Sequence, residues 1–313
     1  MSSTAWAEDK ALVAITLDLE MSRNFPTWDQ VHWDYHKGEL DAATKRYATE
    51  AGRRVAARGG VIHYFAVGQV FEQGDVNWLK ALAADGHPIG NHTYDHVNVL
   101  AKTPDELQYR FRRWPWLVRG RTPREVIVDQ VRMTNEAIGE RLGVAASGFR
   151  TPGGFSSGLG DRPDVQKLLR DEGFDWVSSQ YAGVPELAQG TKPSRSVFDA
   201  IVASQSASQP FQYPGGLVEV PMSPISDIHC FRTARWGLGD FLHAMARAVD
   251  WAIRNRAVFD FLAHPSCLLA TDPHFEAIDL IVNTVEAAGD RAALVDLQAI
   301  ARRVQGRHVR RPE

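Results

Sequence analysis

Short, continuously apolar runs recur along the chain, and longer stretches between them return apolar side chains every three or four positions. The runs predict strands at ALVAITLD (11–18), VIHYFAV (61–67), HPIGNH (87–92), ASGFR (146–150), FDWVSS (174–179), LVEVP (217–221), VFDFLAH (258–264) and AALVDL (292–297). Several lack polar alternation, the pattern of parallel strands covered on both faces. The clearest helix lies in TPREVIVDQVRMTNEAIGERLG. Thr122 reads as its N-cap, Pro123 sits at the first helical position, and Glu125 completes a capping box. Ile127, Val131, Ile138 and Leu142 share one face, and Gly143 ends the helix. A second helix is predicted from Asp240 through FLHAMARAVDWAIRN.

Strands alternating with helices predict a parallel α/β fold. About eight strands point to a distorted (β/α) barrel of about seven to eight parallel strands. The alternative is an open doubly wound sheet, but no G-x-G-x-x-G follows the first strand. No repeat or low-complexity linker interrupts the chain, so residues 1–313 read as a single domain, with an insertion at about 21–50.

The composition is ordinary for a globular protein: 313 residues, 44% hydrophobic, 23% charged. A net charge of -3 gives no general attraction to nucleic acid or anionic membranes. The apolar runs are strand-sized, so no membrane span is expected. The N-terminus lacks a basic region before its apolar run, which ends in carboxylates, so that run reads as a core strand and not a secretion signal. Cys230 and Cys267 are the two cysteines, expected as buried free thiols. Together these features predict a soluble cytoplasmic protein.

The chemistry gathers at strand ends. Asp18, His92, Arg150 and His264 each close a predicted strand, and a barrel brings the C-terminal ends of its strands to one rim. Asp18 and Glu20 are two apart, so a strand turns both carboxylates to one face and Leu19 to the other. His92 and His96, four apart, can ligate together on a helical or turn-like backbone. The spacing alone is weak, since His32 and His36 repeat it in HWDYH. Two imidazoles and one carboxylate make a three-ligand site with a position left for water. Arg150, in FRTPGG, suits bidentate orientation of a carboxylate, or a surface turn. His264, after an apolar strand, is either a core histidine or a general acid.

In order, these segments resemble the polysaccharide deacetylases of carbohydrate esterase family 4, the NodB-homology domain. His92-Thr93-Tyr94-Asp95-His96 matches that family's H-[S/T]-x-x-H motif. Arg150, Pro152 and Gly154 match R-x-P-x-G, and Leu262-Ala263-His264 matches its last motif. The first motif departs: where the family has adjacent aspartates, this chain has Asp18-Leu19-Glu20, and Leu19 cannot ligate. The resemblance implies a distorted (β/α) barrel and a divalent metal, with zinc expected and nickel, cobalt or manganese as alternatives. It implies Asp18 as catalytic base, His92 and His96 as metal ligands with Glu20 as the third, Arg150 fixing Asp18, the Gly153 N–H stabilising an oxyanion, and His264 as acid. Trp176 is the nearest match to a tryptophan-bearing motif. Trp28 and Trp33 in the insertion are a substrate wall or lid, or pin the loop to the barrel. The basic, aromatic stretch 109–124 holds an anionic group of the substrate or is solvated surface.

The expected reaction is metal-assisted hydrolysis of a non-peptide amide, foremost N-deacetylation of an N-acetylated sugar. The alternatives are hydrolysis of a small or cyclic amide (a ureide or imide), and a non-catalytic carbohydrate-binding protein on the same barrel.

Overall fold

The computed structural model describes residues 10–21, 37–183, 185 and 188–309. The predicted Trp28 and Trp33 wall and the His32/His36 pair lie outside these residues. Among the described residues, nine strands form one sheet. They are β1 (Ala11–Leu19), β2 (Ile62–Ala66), β3 (Ile89–Asn91), β4 (Phe149–Phe155), β5 (Trp176–Gln180), β6 (Phe211–Gln212), β7 (Val218–Glu219), β8 (Val258–Ala263) and β9 (Ala292–Leu294). Their order is β6-β7-β5-β4-β3-β2-β1-β8, and β9 pairs with the start of β1. The neighbours are parallel except β6 with β7. The chain beyond β7 bridges back to β8 through Ser226 and Leu262. The sheet is therefore curled into a distorted (β/α) half-barrel, not laid open as a doubly wound sheet.

Strand β1 shows how the pattern builds two cores. Its odd-numbered residues, Ala11 to Leu19, join the layer between sheet and helices. Its even-numbered residues start inside the barrel, where Leu12 and Ala14 pack with Phe65, Trp176 and Val218. The same inward face then becomes polar as Thr16, Asp18 and Glu20 follow in turn, all buried.

The helix Pro123–Leu142 begins as its sequence dictates. The Thr122 side chain accepts the Glu125 N–H, and the Glu125 carboxylate accepts the Thr122 N–H at 2.7 Å. Ile127, Val131, Ile138 and Leu142 are buried, and Gly143 closes the helix in the left-handed conformation. The second predicted helix spans Leu238–Arg254. Residues 42–50, read as part of the insertion, belong to the helix Ala42–Ala56, capped by Asp41 and packed into the outer core through Tyr47, Ala48 and Ala51.

Several strand boundaries differ from expectation: β3 and β9 are shorter than HPIGNH and AALVDL. Strand β4 runs on to Phe155 because the FRTPGG segment stays extended, with its pairing to β5 shifting between Arg150 and Phe155. Strand β7 is shorter than LVEVP, although the chain still bonds to β5 at Val220 and Met222 before it reaches β8 at Ser226. Cys230 and Cys267 are free and buried. Among the described residues, no helix is long and apolar enough to cross a membrane.

Candidate active site

The even-numbered face of β1 delivers Thr16, Asp18 and Glu20 to the rim in the order their polarity predicts. The turn after β3 adds His92 and His96. That turn is not helical: Thr93 and His96 both hold φ of 58°, an uncommon backbone for such side chains. Local bonds secure it, with the Asn91 side chain accepting the Thr93 N–H at 2.8 Å and the Thr93 hydroxyl accepting the Val97 N–H at 2.9 Å. The buried Asp95 carboxylate accepts hydrogen bonds from Gln69 and Gln130 side chains. The turn thereby aims both imidazoles at one carboxylate oxygen. Glu20 Oε2 lies 2.5 Å from His96 Nε2 and 3.2 Å from His92 Nε2.

The ligand atoms of Glu20, His92 and His96 lie within 4.8 Å of one another. Their protonation suits a cation. His92 Nδ1–H donates to the Arg150 carbonyl at 2.9 Å, which leaves the Nε2 lone pair facing the site. Burial lowers the His96 pKa to about 4, so that ring is neutral at pH 7. Burial alone would raise the Glu20 pKa, but the facing imidazoles of His96 and His92 and the Lys37 ammonium hold it well below the usual range. One carboxylate oxygen and two imidazole nitrogens form a donor set fit for a divalent metal.

Asp18 and His264 flank this set. Arg150, fully buried, donates from Nη1 to Asp18 Oδ1 at 3.2 Å and to the Thr16 hydroxyl at 2.7 Å. Its Nη2 donates to Asp260 Oδ2 at 2.6 Å and to the Ser178 hydroxyl at 3.1 Å. The guanidinium also lies 4.5 Å from the Phe65 ring centroid, on the apolar floor of the barrel. Burial pushes the Asp260 pKa up to about 6 against the pull of Arg150 and Thr16, and the Asp18 charge adds to the rise. His264 packs from the other side, its Nε2 3.4 Å from Glu20 Oε1 and its Nδ1 3.0 Å from Asp227 Oδ1. Asp227 Oδ2 also accepts the His264 backbone N–H at 2.6 Å. Burial alone would lower the His264 pKa, but the charge and hydrogen bond of Asp227, with Glu20 and Asp18 beyond, raise it to about 9.

A cavity of about 220 Å³ opens onto these groups. Asp18, Glu20, His92, His96 and His264 line it, together with Gly153 and the apolar side chains of Met21, Met222 and Leu262. Gly153 has φ of 81°, a backbone that disfavours other residues, so the irregularity in β4 after Arg150 depends on a glycine there.

The structure brings Asp18, Glu20, His92, His96, Arg150, Gly153 and His264 together. Trp176 is placed elsewhere. It is the first residue of β5, at the end of the strand away from the rim, and its Nε1–H donates to Gln298 Oε1 at 2.9 Å. It lines a groove with Gly148 and Phe174 that shares no residue with the cavity. The tryptophan register misled because FDWVSS enters the barrel at Trp176 and leaves it near Tyr181, which does line the cavity. Nor does the 109–124 stretch line the cavity; Arg110 instead pairs with Asp95 at 2.5 Å.

Three site residues escaped the sequence reading: Asp260, Asp227 and Lys37. Asp260 carried a signal, since a lone carboxylate in an apolar strand lies four residues before His264 and so on its face. Asp227 follows a strand end in a loop and Lys37 lies in the insertion, and neither carries a spacing signal.

Comparison with known proteins agrees with this architecture. Residues 40–168 match the family model described as polysaccharide deacetylase. No curated protein sequence matches the chain. Among solved structures, a protein from Mycobacterium smegmatis is 17% identical with a TM-score of 0.63, over 100% of this chain and 98% of its own. One from Pseudomonas aeruginosa PAO1 is 14% identical with a TM-score of 0.65, over 96% of this chain and 93% of its own. Both are provisionally named polysaccharide deacetylases. A 4-alpha-glucanotransferase from Thermococcus litoralis is 11% identical with a TM-score of 0.53, over 94% of this chain and 40% of its own. At these identities the likeness is one of fold, and the glucanotransferase shows that the fold alone does not fix the reaction. The family model over residues 40–168 supports the recognition drawn from the ordered motifs, and the two structures support the fold it implies.

Proposed function

We propose that the protein is a metal-dependent hydrolase of a non-peptide carbon–nitrogen bond, acting by N-deacetylation on an N-acetylated sugar. The observation that carries this reading is the placement of two ion-paired groups on either side of one donor set. Asp18 with Arg150 stands on one side of Glu20, His92 and His96, and His264 with Asp227 stands on the other. Amide cleavage needs both a base for the attacking water and an acid for the departing amine.

Glu20, His92 and His96 would hold the divalent ion, zinc in the first instance. Such an ion supplies Lewis-acid chemistry, polarising a carbonyl oxygen and acidifying water. Asp18 takes the proton of the attacking water, and Arg150 keeps its carboxylate aimed. Asp260, bonded to the other guanidinium nitrogen, holds Arg150 in that pose. The Gly153 N–H donates to the oxygen on which charge develops. His264, kept protonated by Asp227, delivers its proton to the amine as the carbon–nitrogen bond breaks.

The apolar cavity wall of Met21, Met222, Ile228 and Leu262 favours a second reading, hydrolysis of a small or cyclic amide. A polysaccharide site more often presents exposed aromatic and polar surfaces to its sugars. A non-catalytic carbohydrate binder would have no use for a base and an acid so arranged. The separating experiment measures metal content beside acetate release from N-acetylated sugars and ring opening of cyclic amides. Acetate release lost in His92→Ala and His96→Ala together with the metal supports deacetylation. Ring opening without acetate release supports the second reading, and metal binding with neither product supports the binder.

A further inference from the structure

Lys37 is fully buried, and its Nζ lies 2.6 Å from Glu20 Oε1. A lysine is almost never so enclosed without a reason, because its desolvation is costly. The local chain is built to bring it there. The Gly38 N–H donates to the Glu20 carbonyl at 2.6 Å, and the Gly38 carbonyl accepts from the Gln73 side chain at 2.8 Å. Gly38 has φ of 83°, and a Cβ there would lie 2.4 Å from the Cβ of Gln69. This turn admits only glycine, and it clamps residues 37–38 across the end of β1.

The two oxygens of Glu20 therefore have separate surroundings. Oε2 faces His96 and His92, at 2.5 and 3.2 Å. Oε1 faces Lys37 and His264, at 2.6 and 3.4 Å. The ammonium does not stand where the imidazoles converge; it takes the opposite oxygen. A carboxylate can bind a cation through one oxygen or both.

Resting on the metal-site reading above, we propose that Lys37 is a positioning residue that restricts Glu20 to ligation through Oε2. Its charge weakens the site's hold on a divalent cation, since like charges a few ångströms apart repel in a buried site. Glu20 then leaves coordination positions for water and the substrate carbonyl instead of closing them with its second oxygen.

The test strips the protein with chelator and titrates zinc and cobalt separately into the parent, Lys37→Met and Lys37→Arg. Lys37→Met keeps an unbranched chain one atom shorter and removes the charge. It should bind both metals about tenfold or more tighter than the parent, and its cobalt visible absorption should fall as the coordination number rises. Lys37→Arg keeps the charge and should bind as the parent does. A merely structural lysine would give the reverse, equal or weaker binding in Lys37→Met, and that result overturns the proposal. So does an arginine variant that tightens as far as the methionine one. If Lys37→Met does not fold by its melting transition, Lys37→Gln is read against the same outcomes. A parent that binds metal beside a variant that binds no tighter removes this inference alone. Absence of binding in both removes it together with the metal reading.

Discussion

The two faces of β1 share one backbone and nearly equal burial, yet they do opposite work. Ile15, Leu17 and Leu19 face the helices and are inert packing. Thr16, Asp18 and Glu20 face the barrel interior, and Thr16 and Asp18 bond directly to Arg150 there. Burial therefore does not distinguish core from site here; the partners do. The alternation also accounts for the unusual first motif. A ligand at position 19 would point into the outer core, and only the even-numbered positions face the two imidazoles. Glu20 extends the inward face by one step beyond Asp18, and its longer side chain meets both imidazoles.

The largest effects should separate the two inward carboxylates. Asp18→Asn keeps volume and removes proton-accepting capacity, so the variant should retain metal and lose on the order of 10²–10⁴ in rate. Glu20→Gln removes the one charged oxygen of the donor set, so the variant should isolate largely metal-free, and excess metal should restore part of the rate. Elemental analysis beside product release reads both. A metal-free Asp18→Asn with a metal-replete Glu20→Gln would exchange the two roles.

The outward face should respond only through stability. Leu19→Ala opens a cavity in a fully buried position and should cost about 2–5 kcal/mol in denaturant unfolding. Its folded fraction should keep the parent's metal affinity and kcat. Leu19→Asp on the Glu20→Gln background restores the family's usual residue on the wrong face. It should not recover metal, and it should unfold more readily than Leu19→Ala because it buries a charge with no partner. Recovery of metal would show that β1 can shift its register by one residue.

Much of this was legible in the sequence because period-two alternation and strand-end position are local signals. They located β1, both imidazoles, Arg150 and His264. The capping box of Thr122 and Glu125 was equally local. What escaped depends on distant chain segments meeting. Asp227 reaches His264 because the chain after β7 crosses to β8, and Lys37 reaches Glu20 through the Gly38 turn. Trp176 misled for the complementary reason, since a motif register says nothing about which end of a strand a side chain occupies.

Asp227 offers a smaller effect that sharpens the contrast between charged and apolar neighbours. Against burial, it is the largest of the influences, with Glu20 and Asp18, that raise the His264 pKa from 6.5 to about 9, so the acid is protonated through neutral pH and lost as pH rises. Asp227→Asn removes that charge, and the basic limb of the kcat/KM profile should move to lower pH. A cation on Glu20 lowers the limb in parent and variant alike, so the displacement between them is the observable. The same sign governs stability: the contribution of protonated His264 is full below about pH 6.5 and fades as pH rises toward about 9. A limb that stays in place in Asp227→Asn would assign it to another group.

The smallest effect belongs to the far end of the barrel. Trp176→Phe keeps an aromatic ring against Phe65 and His63 and deletes the donor to Gln298. Losing one such hydrogen bond should cost about 0.5–1.5 kcal/mol in denaturant unfolding. Substrate does not reach this position if the rim cavity is the site, because Trp176 and the cavity share no lining residue. KM and kcat should then match the parent, whereas Tyr181→Phe, which alters a side chain lining the cavity, should raise KM if the substrate touches that hydroxyl. A raised KM in Trp176→Phe with unchanged stability would mean that the tryptophan touches substrate after all, and that the floor of the barrel is no barrier between its two ends.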